Sequence, residues 1–211
     1  MEINNKTIDF TNSEIAFKNK TNSQLREAYL LFKVMNNPLM VKIGKNLVRF
    51  AFSIHFPIDG IIRNTIYKFF VGGQTIDDCS KTVEKLSQRN VHTILDFAAE
   101  GEQEDKLFDN VCNEVLKTID YAKANKKTPF SVFKITGIAR FDLLVKVSAN
   151  EELTKEETQE YERVYKRVES IFKKGYELGV PVLVDAEETW IQPVLDTLFL
   201  EFMQKYNKEK A

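Results

Sequence analysis

The run Val180-Pro-Val-Leu-Val-Asp-Ala-Glu-Glu188 limits the folds open to this chain more than any other stretch. Val182-Leu183-Val184 is short, apolar and mostly β-branched, the pattern of a strand buried on both faces in a parallel α/β sheet. It breaks directly into Asp185, Glu187 and Glu188. Three carboxylates are costly to bury, so they open into a pocket or meet cations. In α/β barrels and open α/β sheets the C-terminal strand ends are where ligands bind. Period two puts Leu183, Asp185 and Glu187 on one face of the strand and Val182, Val184 and Ala186 on the other. A plainer reading of Glu187 and Glu188 is that they start the next helix, where carboxylates suit the helix dipole.

Two more strands precede this one. Val91-His-Thr-Ile-Leu-Asp-Phe-Ala98 puts Ile94, Asp96 and Ala98 on one face, with Glu100 just beyond in an acidic loop. His92 sits at the strand start, where a structural role suits it better than catalysis. Phe130 to Ile138 reads as the second strand, with Phe130, Val132, Lys134 and Thr136 on one face and Ser131, Phe133, Ile135 and Gly137 on the other. Lys134 lies between Phe133 and Ile135, so it pairs with an anion, has a lowered pKa, or snorkels at an edge. Helices are expected at about 103–124, at 138–146, from the capping box Thr154-Lys-Glu-Glu157 to 178 where Gly179 ends it, and at 190–207. The order β-α-β-α-β-α is that of right-handed parallel crossovers.

The N-terminal part is different. Residues 1–20 read as a weakly ordered arm and 21–90 as a helical region. Thr21-Asn-Ser-Gln24 caps a helix over 22–36 with Leu25, Tyr29, Phe32 and Met35 on one side, and Thr75-Ile-Asp-Asp78 caps one over 76–89. Between them, residues 39–73 carry five basic residues against a single acid. That stretch is either a helical hairpin packed on the main domain or a basic amphipathic surface for an anionic membrane.

Bulk composition narrows the function classes. With 211 residues, 43% of them hydrophobic, the chain can bury one substantial core. A net charge of -1 argues against a general nucleic-acid footprint. Cys79 and Cys112 have no metal-ligand spacing and read as reduced residues of a cytosolic protein. The N-terminus is polar and acidic, unlike a signal peptide, and no apolar run approaches the roughly 18 residues of a membrane span. There is no GxGxxG after a strand, Walker loop, HExxH or nucleophile elbow, which removes the main support for dinucleotide-binding, nucleotide-hydrolysing, zincin and α/β-hydrolase readings.

The polar residues at the three strand ends form one constellation: Asp96 with Glu100, Lys134 with Thr136, and Asp185 with Glu187. From residue types alone, several chemistries stay open. Lys134 could form a Schiff base, as in aldolase-type lyases. Asp96, Asp185 and Glu187 could hold Mg²⁺, although a neighbouring Lys opposes a cation. The basic 39–73 segment could serve a non-catalytic membrane or partner-binding module.

At Phe133-Lys-Ile-Thr-Gly-Ile-Ala-Arg-Phe-Asp-Leu-Leu144 and Val184-Asp-Ala-Glu-Glu-Thr-Trp190 the chain resembles proline dehydrogenase, in particular its bacterial single-function form, and Thr93-Ile-Leu-Asp-Phe97 with Glu100 fits as well. The resemblance implies a (βα)8 TIM-type barrel carrying FAD, which oxidises L-proline to Δ1-pyrroline-5-carboxylate and passes electrons to a quinone. It implies that Lys134 helps hold the proline carboxylate, that Asp185 and Ala186 lie beside substrate and flavin with Thr136 on the cofactor side, and that Glu100 pairs with an active-site arginine; no metal is implied. A cytoplasmic location, peripheral at the inner face of the membrane through 39–73, goes with that reading.

An eight-stranded barrel takes about 250 residues. Residues 91–211 supply about three βα units, so the chain reads as a truncated N-terminal portion of such an enzyme. The flavin-contacting strands and a helix with paired arginines are expected outside it, and little flavin is expected on the chain alone.

Overall fold

The computed structural model describes residues 9–97 and 104–209. The chain divides into two compact units, Met1–Gly72 and Gly73–Ala211.

In the N-terminal unit a single helical turn, α1 (Ser13–Ala16), precedes α2 (Asn22–Met35), α3 (Pro38–Ser53), α4 (Asp59–Ile62), a π-helical turn at Arg63–Tyr67, and α5 (Lys68–Phe70). The capping box is present in both directions. Gln24 N–H donates to Thr21 Oγ1 at 3.2 Å, and Thr21 N–H donates to Gln24 Oε1 at 3.0 Å. Asn37 caps α3 through Leu39 N–H, and Pro38 occupies its first turn, where a missing N–H costs nothing. Lys68 pairs with Glu27 at 2.6 Å, and Phe32 meets Phe70 edge to face.

The half-buried side of α2 runs through Leu25, Ala28 and Leu31, while Tyr29, Phe32 and Met35 lie exposed. Along α3, Leu39, Met40, Ile43, Leu47 and Phe50 are exposed together with Lys42, Lys45 and Arg49.

The C-terminal unit is helix-rich α/β with a small parallel sheet. Its order is α6 (Ile76–Ser87), β1 (Ile94–Leu95), α7 (Asp105–Ala124), β2 (Phe130–Phe133), a 3₁₀ turn (Ile135–Gly137), α8 (Phe141–Ser148), α9 (Lys155–Leu178), β3 (Val182–Val184) and α10 (Gln192–Tyr206). The three strands lie side by side in chain order, all parallel. Ile94 pairs with Phe130 and Leu95 with Ser131, while Ser131, Val132 and Phe133 pair with Val182, Leu183 and Val184.

Two strands are shorter than their sequence pattern suggests. β1 covers Ile94–Leu95 within the expected 91–98, of which Ala98 lies outside the described residues, as does Glu100. β2 ends at Phe133 because Ile135 and Ile138 are both fully buried. Residues three apart share a side in a 3₁₀ turn but not in a strand, so the turn satisfies both. Thr136 therefore leaves the strand alternation that would place it below Lys134.

One face of the sheet is the core. Phe133 is 2% exposed and meets Phe172 of α9 and Phe199 of α10 at ring distances of 6.1 and 6.2 Å. Those two rings meet each other at 5.9 Å, so the strand and both helices share one aromatic contact. Val115 and Ile119 of α7, Val168 and Ile171 of α9 and Leu195 of α10 complete the layer. Buried Ser131 finds Thr118 of α7 at 2.7 Å, which satisfies both hydroxyls.

Helix α9 approaches the sheet closely at Gly175, where a Cβ would sit 2.7 Å from Val182 Cγ2. It then stops at Gly179, whose φ of 66° is the left-handed conformation that favours glycine. Val180 N–H closes the end on Gly175 O at 2.9 Å, which delivers the chain straight into β3.

Arg167 ties the layer at one end. It is 5% exposed, donates to Asp109 at 2.7 Å and Asp105 at 2.8 Å, reaches Ile138 O at 3.2 Å, and lies over the Phe108 ring. The Arg163 guanidinium, with Arg167 beside it, holds the Asp105 carboxyl below its ordinary range.

Candidate functional site

The opposite face of the sheet is open. Phe130, Leu183 and Ile94 alternate onto it and are 37, 42 and 46% exposed, with Val132 between them buried at 8%, against 0% for Ser131 and 2% for Phe133 on the covered face. A strand three to four residues long still obeys period two, so burial of Phe133 forces Lys134 onto the open face. Asp185 is brought there too. Its N–H donates to Phe133 O at 3.2 Å, which carries the β2–β3 register one residue further and sets Asp185 level with Lys134 on the neighbouring strand. Both are half-buried. Adjacent strands lie about 4.8 Å apart, so the cation and carboxylate rise from neighbouring positions at the C-terminal edge of the sheet. Asp96 follows β1 at the level of Val132, one step back along the same face, and is exposed.

Beyond the ends of the two strands, the 3₁₀ turn after β2 and the loop after β3 bring Thr136 and Glu187 together. Thr136 N–H donates to Glu187 Oε1 at 3.2 Å, and the Thr136 hydroxyl lies 3.0 and 2.9 Å from the two carboxylate oxygens. Gln192, at the start of α10, accepts from Glu187 N–H at 3.4 Å and donates to Asp196 at 2.7 Å. Glu187 thus links the 3₁₀ turn after β2, the loop after β3 and the first turn of α10. It neither starts the helix nor joins a metal cluster. Among the described residues no group of three or more His, Cys, Asp or Glu could hold a metal ion, so the Asp96–Asp185–Glu187 alternative is not assembled.

The sequence placed Glu187 on the Asp185 face but missed its partner. The signal was present, since Thr136 and Glu187 each stand two residues beyond the matched pair Lys134 and Asp185. Ala186 is exposed beside Asp185. A second network frames the site from behind. Arg140 donates to both carboxylate oxygens of Glu160 at 3.0 Å and to Asp142 at 2.9 Å, and Glu160 foremost raises its pKa. This bidentate pair fixes the chain between the 3₁₀ turn and α8 onto α9. His92 lies exposed at the far end of the sheet, its Nδ1 3.2 Å from Lys126 O.

Compared with known proteins, residues 79–211 match the model of the family described as proline dehydrogenase. The chain belongs to the proline dehydrogenase family. Its family-matched region contains the whole three-stranded sheet and both strand-end pairs. Over 98% of its length it is 27% identical to proline dehydrogenase 1, mitochondrial, of Dictyostelium discoideum, covering 43% of that protein. It is 28% identical, over 72% of its length and 40% of the relative, to the carbapenem antibiotics biosynthesis protein CarD of Pectobacterium carotovorum subsp. carotovorum. A shorter stretch, 27% of the chain, is 42% identical to human proline dehydrogenase 1, mitochondrial. The chain spans well under half the length of these curated relatives.

The Thr136–Glu187 link has a measurable consequence. Thr136→Val leaves the half-buried carboxylate with one backbone donor and lowers stability by about 1 kcal/mol. Glu187→Gln keeps an amide oxygen to accept from Thr136 and costs less. Urea unfolding of both variants checks the order, and an equal or larger loss for Glu187→Gln contradicts it.

Proposed function

We propose that this chain supplies the substrate-carboxylate side of a flavin-dependent proline oxidation, in which L-proline is converted to Δ1-pyrroline-5-carboxylate with a quinone as final acceptor. In this reading the three parallel strands are the first part of a (βα)8 barrel and their open face is part of its lumen. The observation that carries it is the placement of Lys134 and Asp185 at one level of adjacent parallel strands, on the face opposite Phe133, within a proline dehydrogenase family sequence.

A carboxylate substrate needs a cation held out of bulk water, and a half-buried Lys on a strand end meets that need. Asp185 stands at the same level one strand away, so a carboxylate and an ammonium flank the place where the substrate would lie. The Thr136–Glu187 link holds the two strand ends in register, so the ammonium and the carboxylate keep their spacing. Glu100 is assigned a pairing role toward an arginine outside this chain; it lies outside the described residues.

The groups at the strand ends that would face FAD are the Asp185 carboxylate, an acceptor, the Thr136 hydroxyl, which is shared with Glu187, and the exposed Ala186, whose small side chain leaves room for a planar ring. When bound, the flavin supplies the acceptor for the two electrons that proline loses as its ring C–N bond becomes C=N. The residues named here bind and orient. Schiff-base chemistry at Lys134 is the weaker reading, because the family match is to proline dehydrogenase and not to an aldolase-type lyase.

The test is proline-dependent dye reduction by the protein that carries these residues, supplied with FAD, with the pyrroline product detected chemically. Lys134→Ala is expected to raise KM for proline about ten- to a hundredfold, the loss of one hydrogen bond to a charged group, while bound flavin stays unchanged. Flavin-loaded protein without proline-dependent reduction contradicts the reading.

The exposed apolar and basic residues of α3 support peripheral contact with an anionic membrane at the cytoplasmic face, where a quinone pool is reached. Co-sedimentation with anionic liposomes is expected to fall as salt rises; binding that ignores salt, or no binding at low salt, contradicts this part.

A further inference from the structure

Among the described residues Arg167 is the one charged residue that is buried. All three of its nitrogens are committed. Nε donates to Asp109 at 2.7 Å, Nη2 to the Asp105 carboxylate at 2.8 Å and the Asp105 carbonyl at 3.3 Å, and Nη1 to Ile138 O at 3.2 Å. These partners sit on two different connections. Asp105 and Asp109 open α7, the helix that follows β1, and Ile138 closes the 3₁₀ turn that follows β2. Short links run from that turn back to the strand end. Ile138 N–H donates to Ile135 O at 3.0 Å, Gly137 N–H donates to Lys134 O at 3.2 Å, and Thr136 N–H donates to Glu187. Stability alone does not call for a charge at position 167. The carboxylates of Asp105 and Asp109 keep 41 and 60% exposure, so water can replace the guanidinium at both. An apolar side chain of similar length would also cover the Phe108 ring. Neither an apolar side chain nor a lysine supplies a planar fork that holds a helix start and a turn carbonyl at once.

We propose that Arg167 is a positioning residue for the substrate site. From the helix layer it pins the turn after β2 to the start of α7, and the turn's own hydrogen bonds carry that constraint to Lys134 on the open face. Glu187 holds the same turn at Thr136 from the β3 side, so the segment beyond Lys134 is fixed at two points by groups from two different elements. With Arg167 gone, the turn keeps one of these and Lys134 loses its set height and direction at the strand end. The inference rests on the reading of Lys134 as the cation that binds the substrate carboxylate.

The first arm of the test is amide exchange in the full 211-residue chain. Arg167→Lys keeps a positive charge beside Asp105 and Asp109 but not the fork. It should speed exchange at Gly137 and Ile138 by about tenfold or more, while the Val115, Ile119 and Val168 amides of the core helices stay unchanged. Arg167→Ala should do the same. Guanidinium chloride at millimolar concentration, whose cation has the shape of the missing group, should then restore slow exchange, and urea, its neutral counterpart, should not. The second arm uses the protein that carries these residues, loaded with FAD. Arg167→Lys should raise KM for proline about tenfold with kcat and bound flavin unchanged. In a Lys134→Ala background the same substitution should add nothing to KM, because it acts through that ammonium. Turn amides that stay slow in Arg167→Lys overturn the proposal, as do core amides that speed up equally. A rise in KM that adds to that of Lys134→Ala also overturns it. If the loaded protein shows no proline-dependent reduction, the proposed chemistry fails, and the exchange arm still decides whether Arg167 holds the turn.

Discussion

Phe133 fixes more of this structure than any other side chain. As the last residue of the central strand it meets one ring from α9 and one from α10, and those rings meet each other. Burying a phenylalanine so fully stabilises the fold by about 1.5–3 kcal/mol from area alone, and the edge-to-face contacts add to that. Its larger effect is directional. A strand has two faces, and a residue committed to one commits its neighbours to the other. Lys134 is therefore lifted onto the face away from the helices, and parallel register carries Asp185 to the same level. The position of the Lys134–Asp185 pair follows from the packing of an apolar residue on the other face.

The helices hold that arrangement through close contacts. Gly175 lets α9 lie against Val182, and the left-handed Gly179 turns the chain into β3 without a connecting loop. Arg167 and Arg140 join α9 to α7 and to the segment after β2 through short, charge-assisted bonds. Partners of Arg167 are themselves partly exposed, so these bonds serve placement more than net stability. The covered face is thereby closed by three helices, and the Lys134–Asp185 pair stands on the other.

Much of this was legible in the chain. The capping boxes at Thr21 and Thr154, the stop at Gly179, the three strands and their parallel order, and the helices between them follow from periodicity and local chemistry. The family was legible in the two strand-end motifs. Other features were not. The end of β2 depends on Ile135 and Ile138 both finding the core, a tertiary demand that overrides alternation. The exposed side of α2 could not be told from its half-buried side, because Leu25, Tyr29, Phe32 and Met35 are all apolar and local periodicity does not say which of them tertiary packing covers. Nothing local marks Arg167, one of many charged residues along α9, as buried among Asp105, Asp109 and Phe108.

The central claim is that the sheet is sealed on one face and open on the other, with Lys134 and Asp185 on the open one. Phe130 and Phe133 test it most directly, because they share a residue type and a strand and should lie on opposite faces. Hydroxyl-radical footprinting of the free chain should modify Phe130 readily and Phe133 hardly at all, with Leu183 and Ile94 following Phe130 and with Ile135 and Ile138 following Phe133. Equal modification of the two phenylalanines, or the reverse order, would contradict the account.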